Sequence, residues 1–280
     1  MTVGFPLHAA IVTAAGSSIR FNDDQSDAPV KKEFLSIEGH TVLSRAVRPF
    51  LAIPGCTAIV VTCAEGSAEE TAVALEDLLD QNEIPIMIIQ GGSTRQESVR
   101  KGLEQLATMS LPIRYVAIHD GARPWVTPEL IISTLATATV FGGAVPAIPI
   151  VDALKRIDEN GMVVEHLVRS GMVAVQTPQI FEYPKILEAH RDAVRPEKQY
   201  VDDTEIYADF GGSVGISEGD PENRKVTWLQ DIPDAQRQII EYRLVREKAK
   251  SQAGAQHAFR AAWAEAKAQA IAARTVPQQA

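Results

Sequence analysis

The sequence is poor in cysteine, carries no surplus of basic charge and contains no long apolar run, and each absence removes a class of protein. Its cysteines are Cys56 and Cys63. They flank an apolar stretch at a spacing that matches no zinc site, and a single pair makes no disulfide framework, so both read as small buried hydrophobes in a reducing compartment. A formal net charge of -9 argues against a broad nucleic-acid or anionic-membrane surface, although a few convergent cations can still hold a small anion. No run approaches the roughly 20 apolar residues that cross a bilayer, and the N-terminus lacks the basic-then-apolar pattern of a signal peptide. Two familiar phosphate-binding signatures are also missing: there is no Gly-Lys-Ser/Thr after the first glycine loop, and no Gly-x-Gly-x-x-Gly. Internal repeats are absent. The expectation left by these exclusions is a soluble, cytoplasmic protein that binds neither nucleic acid nor membrane.

What is present is a rhythm. With 280 residues and 45% hydrophobic content, the chain is large for one domain and small for two, which predicts one α/β domain with an appendage. Short apolar runs at residues 8–13, 58–62, 86–89 and 115–118 read as buried strands. Amphipathic stretches at 41–52 and 68–79 read as helices between them. Continuous apolar strands alternating with helices indicate a mainly parallel sheet covered on both faces, and in such sheets ligands bind at the carboxyl ends of the strands.

After Thr139 the rhythm changes. Residues 143–155 and 163–168 are extended runs joined by Asp158-Glu159-Asn160-Gly161, and Asn-Gly between apolar runs signals a hairpin. This predicts a protruding β-arm over about 143–170, with apolar faces suited to a homodimer contact. From Asp234 the composition turns to helix formers. The main domain is therefore expected over 1–233 and a helical C-terminal extension over 234–280. Leu244, Val245, Phe259, Trp263 and Ile271 would form its sparse apolar stripe, and 275–280 a frayed end.

The chemistry is sought in the loops after the strands. The first strand ends in Ala14-Ala15-Gly16-Ser17-Ser18-Ile19-Arg20. Small residues there let the backbone approach a ligand, and exposed amides can bind phosphate oxygens; packing alone also explains such a turn. Arg20 and Lys32 add cations, which nucleotidyl transfer needs against the charge gathering on the transferred group and on the leaving pyrophosphate. The competing reading is that both are solvated surface cations, and Lys31 beside Lys32 means that only one of the two need point inward. The polar stretch 22–29 suits a loop that closes over a substrate. Asp120, at a strand end, could orient a ribose hydroxyl, hold a metal ion or cap the following turn. His119 reads as packed and hydrogen-bonded. Asp202-Asp203 reads equally as a metal-adjacent pair or as a helix start.

Several ordered blocks resemble the cytidylyltransferase family of the non-mevalonate isoprenoid pathway, which acts on 2-C-methyl-D-erythritol 4-phosphate. The resemblance rests on Ala14-Ala15-Gly16 with Arg20, on Lys32-Glu33-Phe34-Leu35, and on Gly91-Gly92-Ser93-Thr94-Arg95-Gln96-Glu97-Ser98-Val99. It continues through His119-Asp120-Gly121-Ala122-Arg123-Pro124, Asp152-Ala153-Leu154-Lys155-Arg156, Gln176-Thr177-Pro178-Gln179, Glu218-Gly219 and Asn223-Arg224-Lys225-Val226-Thr227. It implies a Rossmann-like nucleotidyltransferase sheet with a β-arm, and a reaction of CTP with the polyol phosphate that releases pyrophosphate, with Mg²⁺ on the triphosphate. It further implies that Arg20 and Lys32 stabilise the pentavalent α-phosphate, and that Arg169 and Lys225 hold the substrate phosphate for in-line attack, Arg169 serving the neighbouring subunit. Ala14, Ala15, Gly91, Gly92 and Ser98 would form the cytosine pocket, with Gly16 in the phosphate loop. Arg95 stays open between loop anchor and phosphate contact. Arg123, Asp152, Lys155 and Thr177 would meet the polyol phosphate, and Asp120 the metal.

The chain departs from the family pattern at Ala153 and Val201, where threonine is common and its hydroxyl helps to line the acceptor pocket; at Ser93, where aspartate is common; and at Glu222, where aspartate is usual. The rival within the class is a ribitol 5-phosphate cytidylyltransferase, which the segments 150–156 and 168–171 resemble less. The rival outside it is a non-catalytic nucleotide-binding protein of the same fold, whose mark would be missing cations.

Overall fold

The computed structural model describes residues 5–18, 21, 30–79, 82–194, 198, 200–251, 260, 262 and 264. Arg20, the stretch 22–29, Phe259, Trp263, Ile271 and 275–280 lie outside the described residues.

The chain runs β1 (His8–Ala14), β2 (Ser36–Ile37), β3 (His40–Thr41), α1 (Val42–Leu51), β4 (Cys56–Cys63), α2 (Ala68–Ala74), α3 (Glu76–Leu79), β5 (Ile86–Gln90) and α4 (Arg95–Thr108). Next come β6 (Tyr115–Asp120), α5 (Pro128–Phe141), β7 (Gly142–Pro149), β8 (Lys155–Ile157), β9 (Val163–His166) and β10 (Val173–Val175). The last elements are β11 (Gln179–Glu182), α6 (Tyr183–Asp192), α7 (Asp203–Asp209), β12 (Ser213–Glu218) and α8 (Ala235–Ser251). The main sheet has the order β10-β7-β11-β6-β1-β4-β5, with β12 on β7. Strands β6, β1, β4 and β5 are parallel neighbours, while β11 runs antiparallel between β6 and β7.

The expected strands and helices at 8–13, 58–62, 86–89, 115–118 and 41–52 are all found within a residue or two of those bounds. Their continuous apolar character has the predicted cause. In β1, Ala10, Val12 and Ala14 face one core while Ala9 and Ile11 face the other. The neighbouring strands alternate alike, with Ile59 and Val61 against Ala58 and Val60 in β4. Helices α1, α5 and α8 cover the first face and α4, α6 and α7 the second. Threonines start three of these helices: the hydroxyls of Thr41, Thr94 and Thr127 accept from the backbone N–H of Ser44, Glu97 and Leu130. The stretch 68–79 breaks in two at Leu75.

Two expectations need correction. The arm does not begin at 143: β7 is an inner strand of the main sheet, flanked by β10 and β11 along one edge and by β12 on the other. Its run of small and apolar residues reflects burial between neighbours rather than projection. The protruding part is the β8–β9 hairpin, where Asp158 Oδ1 accepts from the N–H of Asn160 and Met162 and Gly161 takes a positive φ of 79°. The tail also differs from its predicted stripe. Val245 buries into the main core as expected, but Leu244 is exposed, and Tyr242, outside the expected stripe, is buried beside Val245. Tyr242 stacks on Phe34 at 6.1 Å, and the Gln238 amide exchanges hydrogen bonds with the Ser36 backbone at 2.7 and 3.0 Å. Helix α8 thus braces the segment that carries Lys32.

Candidate active site

The carboxyl ends of β1, β5 and β6 open into a cleft of about 610 Å³. One wall is the loop after β1, with Ala15, Gly16, Ser17 and Ser18; the opposite wall is the loop from β5 into α4, with Gly92, Ser93, Thr94, Arg95 and Ser98. Lys32, Glu33, Asp120, Lys225 and Thr227 complete the lining. The two walls approach closely at Gly91, where a Cβ would stand 2.7 Å from the Ala15 Cβ and 2.8 Å from Ser98 Oγ. Only glycine fits there without a shift. The Ser98 hydroxyl, donating to the Thr94 carbonyl at 2.9 Å, accepts from the Gly92 N–H at 2.9 Å and so fixes the shape of the wall. Ala14, expected in the pocket, is the last residue of β1 and packs into the core; Ala15 is the one that faces the cleft.

Of the adjacent lysines, Lys32 lines the cleft and donates to the Val226 carbonyl, while Lys31 reaches back to the carbonyls of Ala15 and Gly16. Glu33 is buried beneath the loop and accepts from the Ser18 hydroxyl at 3.3 Å. Burial raises its pKa, against the pull of Lys32.

Asp120 is the hub of the charged groups in the cleft. Its carboxylate lies 2.8 Å from Lys225 Nζ, 3.4 Å from Arg95 Nε and 3.7 Å from Arg123 Nε. Burial alone would raise its pKa, but Lys225 and Arg95 outweigh it and hold the group well below the usual carboxylate range. Arg95 also contacts Asp203 at 2.7 Å, so it is a loop anchor and a wall of the cleft at once.

The block Gln176-Thr177-Pro178-Gln179 explains why these groups meet. The Gln176 amide bonds the backbone of Asp220 in both directions, at 2.7 and 3.1 Å, and Asn223 donates to the Thr177 carbonyl at 2.9 Å, which fixes the loop bearing Lys225. The Thr177 hydroxyl accepts from the Asp120 N–H at 3.1 Å and meets His119 Nδ1 at 3.0 Å. His119 Nε2 faces the Arg123 carbonyl at 3.2 Å, which only a donor can satisfy, so the Thr177 hydroxyl donates to Nδ1. Burial lowers the His119 pKa to about 4, and the ring is a neutral structural group. Thr177 therefore serves the scaffold through its hydroxyl, and it is buried rather than part of the cleft surface. Arg123 likewise ties the same loop, donating to the Asn223 carbonyl at 2.7 Å.

The arm residues stand apart. Asp152, Lys155 and Arg169 line no part of this chain's cleft, and Arg169 donates to the Val151 carbonyl. Arg20 lies outside the described residues. Ala153 and Val201, which lack the expected hydroxyls, are exposed. The sequence reading missed the buried Glu33 and the cleft-lining Thr227, neither of which carries a local signal beyond its place beside a lysine block.

The donor set also bears on Mg²⁺. Among the described residues no group of three or more His, Cys, Asp or Glu converges. Asp120 is a single carboxylate held ionised among cations. Mg²⁺ takes one or two carboxylates and completes its shell with phosphates and water, so the cleft fits an ion arriving on a triphosphate and not one caged by protein alone.

Fold and cleft together define the class: a mainly parallel α/β sheet with an anion-receiving cleft at its carboxyl edge, as in nucleotidyltransferases. Comparison with known proteins narrows it. The family model described as IspD, 2-C-methyl-D-erythritol 4-phosphate cytidylyltransferase, matches residues 8–241, and the chain belongs to that family. The chain is 34% identical over 228 residues to a Bacillus mycoides protein named 2-C-methyl-D-erythritol 4-phosphate cytidylyltransferase, covering 81% of this chain and 95% of that protein. It is 37% identical to a Rhodopseudomonas palustris protein named bifunctional enzyme IspD/IspF, over 81% of this chain but 54% of that protein. The chain thus spans about half the length of these bifunctional relatives. Among solved structures, the 2-C-methyl-D-erythritol 4-phosphate cytidylyltransferase of Thermus thermophilus is similar with a TM-score of 0.61 at 25% identity, covering 84% of this chain and 98% of that one. No helix among the described residues is long and apolar enough to cross a membrane.

Proposed function

We propose that the chain transfers the cytidylyl group of CTP to 2-C-methyl-D-erythritol 4-phosphate. A phosphate oxygen of the polyol phosphate attacks the α-phosphorus, a new P–O bond forms, the α–β bridging bond breaks, and pyrophosphate leaves. The observation that carries this reading is the cleft of a family member in which Arg95 and Lys225 hold one ionised carboxylate, Asp120, and Lys32 lines the same space. Lys32 sits where it can release the Val226 carbonyl for a phosphoryl oxygen. Lys225, now paired with Asp120, is the cation for the incoming phosphate. Two anions approaching each other must be neutralised and aligned, and much of the rate comes from that positioning. Arg20 would join Lys32 at the α-phosphate. The small loop residues Ala15, Gly16, Gly91 and Gly92 would let main-chain groups approach the nucleotide. Mg²⁺ carried by CTP, with Asp120 as its protein ligand, would withdraw charge from the leaving pyrophosphate.

We further infer that a second copy of the chain completes the site. The arm exposes Val151, Met162, Val164 and Val168, a run of apolar side chains that a monomer would keep in water. Paired arms would bring Arg169, Asp152 and Lys155 to a neighbouring cleft. Free Cys56 and Cys63 suit a reducing cytoplasm.

The test is pyrophosphate release from CTP and Mg²⁺ with 2-C-methyl-D-erythritol 4-phosphate or ribitol 5-phosphate as acceptor. Turnover of the first supports the proposal; exclusive turnover of the second shifts the acceptor, and none with either favours a nucleotide-binding protein. Sedimentation of wild type against Val168→Asp tests the arm, with loss of a dimer expected in the variant.

A further inference from the structure

Behind the α4 wall of the cleft lies a fully buried carboxylate, in contact with a buried histidine, that the transfer chemistry leaves unused. Asp203, the first residue of α7, and His190, in the last turn of α6, are both 0% exposed. His190 Nε2 lies 3.2 Å from Asp203 Oδ1, and Arg95 NH1 lies 2.7 Å from Asp203 Oδ2. Taking a carboxylate out of water costs several kcal/mol unless its partners are well placed. A hydrophobic residue would hold α6 and α7 together at lower cost. The charge is therefore better explained by what it holds.

What it holds is a guanidinium at the cleft. Arg95 is gripped by two carboxylates: Asp203 on NH1, and Asp120 on Nε at 3.4 Å. A planar fork held at two points has its orientation set. The Asp203 end is itself rigid. Gln179 receives the Asp203 N–H at 3.2 Å and donates to Asp202 Oδ2 at 2.9 Å. Asp202 Oδ1 caps α7 through the N–H groups of Thr204 and Glu205 at 3.0 and 3.2 Å. A continuous chain of contacts thus runs from the buried His190 through Asp203, Arg95 and Asp120 to Lys225. Burial would raise the Asp203 pKa, but Arg95 and His190 hold it down, so the anchor stays ionised.

We propose that Asp203, backed by His190, is a positioning residue for nucleotide use: it draws the Arg95 guanidinium away from full pairing with Asp120 and presents it to the anion in the cleft. Without Asp203, Arg95 has one carboxylate left, collapses onto Asp120 and competes there with Lys225. The inference rests on the proposed CTP chemistry, because the anion it serves is the nucleotide's.

A double-mutant cycle decides between positioning and mere cohesion of α6 and α7. Asp203→Asn keeps the shape and removes the charge, and its kcat/KM for CTP is expected to fall about tenfold. Arg95→Ala should lose at least as much. If Asp203 acts through Arg95, the double variant is no worse than Arg95→Ala alone. If the two losses multiply, or if Asp203→Asn lowers Tm with kcat/KM unchanged, the proposal is overturned. Should Asp203→Asn fail to fold, His190→Gln takes its place, with a smaller loss that must also vanish in the Arg95→Ala background. A wild type that releases no pyrophosphate sinks the CTP reading instead. In that event the crystal structure of Asp203→Asn still decides: an Arg95 guanidinium shifted onto Asp120 supports the positioning role, and an unmoved one refutes it.

Discussion

The cleft and the β-arm treat charge in opposite ways. In the cleft, Lys32, Arg95, Asp120 and Lys225 are each tied to a carbonyl or an opposite charge inside the same chain. On the arm, Arg156 and Glu165 form an exposed pair at 2.8 Å across the hairpin, and Val151, Met162, Val164 and Val168 stand in water. An exposed pair contributes little, about 0–1 kcal/mol. The cleft is thus held by its own chain, whereas the arm leaves apolar side chains exposed, as the proposed second copy requires. The proposed site draws on both, and this split is what experiment should attack first.

The largest effect is expected at Lys32. Lys32→Ala should lower kcat by roughly 10²–10³-fold while leaving CTP affinity within a few-fold, because the cation acts mainly on charge that develops during reaction. Equal losses in binding and turnover would contradict that role. Arg169→Ala should also be inactive, but by loss of the neighbour's contribution. Mixed in equal amounts and allowed to exchange, the two dead variants should recover about a quarter of wild-type activity, since half of the dimers are hybrids with one intact site of two. No recovery after demonstrated subunit exchange would mean that Arg169 serves its own chain or none.

Next in size is the response to acid, which the cleft scaffold should show and the arm should not. The buried His119 has a folded pKa of about 4 against an ordinary value near 6.5. Between those values the unfolded chain takes up a proton that the native ring refuses, so stability is full above about pH 6.5 and falls as pH drops towards 4. A shift of that size corresponds to about 3 kcal/mol. His8, whose pKa is also lowered by burial, adds in the same direction. Below about pH 4, Asp120 and Asp203 extend the loss, because their folded pKa values are depressed and their stabilising charge disappears on protonation. Urea unfolding at pH 7 and pH 5 reads the effect, and His119→Asn should flatten the slope. A wild type equally stable at both values would remove the argument.

How much of this was legible in the residues differs between the same two regions. The strands β1, β4, β5 and β6 and the loops after them could be read directly, since a strand buried on both faces must be continuously apolar and a cleft at its carboxyl end follows from parallel topology. Lys32, Arg95, Asp120 and Lys225 stood out in the sequence, but not the pairing of Asp120 with Arg95 and Lys225. That depends on Gln176, Thr177 and Gln179, whose bonds span 23 to 58 residues of sequence and leave no local pattern. The arm was found from its Asn-Gly turn but begun too early, because the apolar run of β7 looks the same whether a strand projects or is buried. Tyr242 escaped for a similar reason: a helical stripe of Leu and Val is equally consistent with two faces, and only Phe34 selects one.

The smallest expected effects compare one glycine from each region. At Gly91 a methyl group would meet the Ala15 Cβ at 2.7 Å and Ser98 Oγ at 2.8 Å, so the two walls of the cleft must part. Overpacking of this kind costs about 1–3 kcal/mol, and Gly91→Ala should raise the KM for CTP roughly tenfold, because the displaced groups face the nucleotide. Gly161 is different: nothing lies within 4 Å of the position a Cβ would take, and its constraint is the φ of 79° alone. Gly161→Ala should therefore cost about 1–2 kcal/mol of backbone strain, confined to the hairpin tip. CTP binding should not change, and any loss of turnover should appear in the KM for the acceptor. If Gly161→Ala instead weakens CTP as much as Gly91→Ala does, the arm is coupled to the nucleotide half of the cleft, and the division between a self-held cleft and a partner-seeking arm fails.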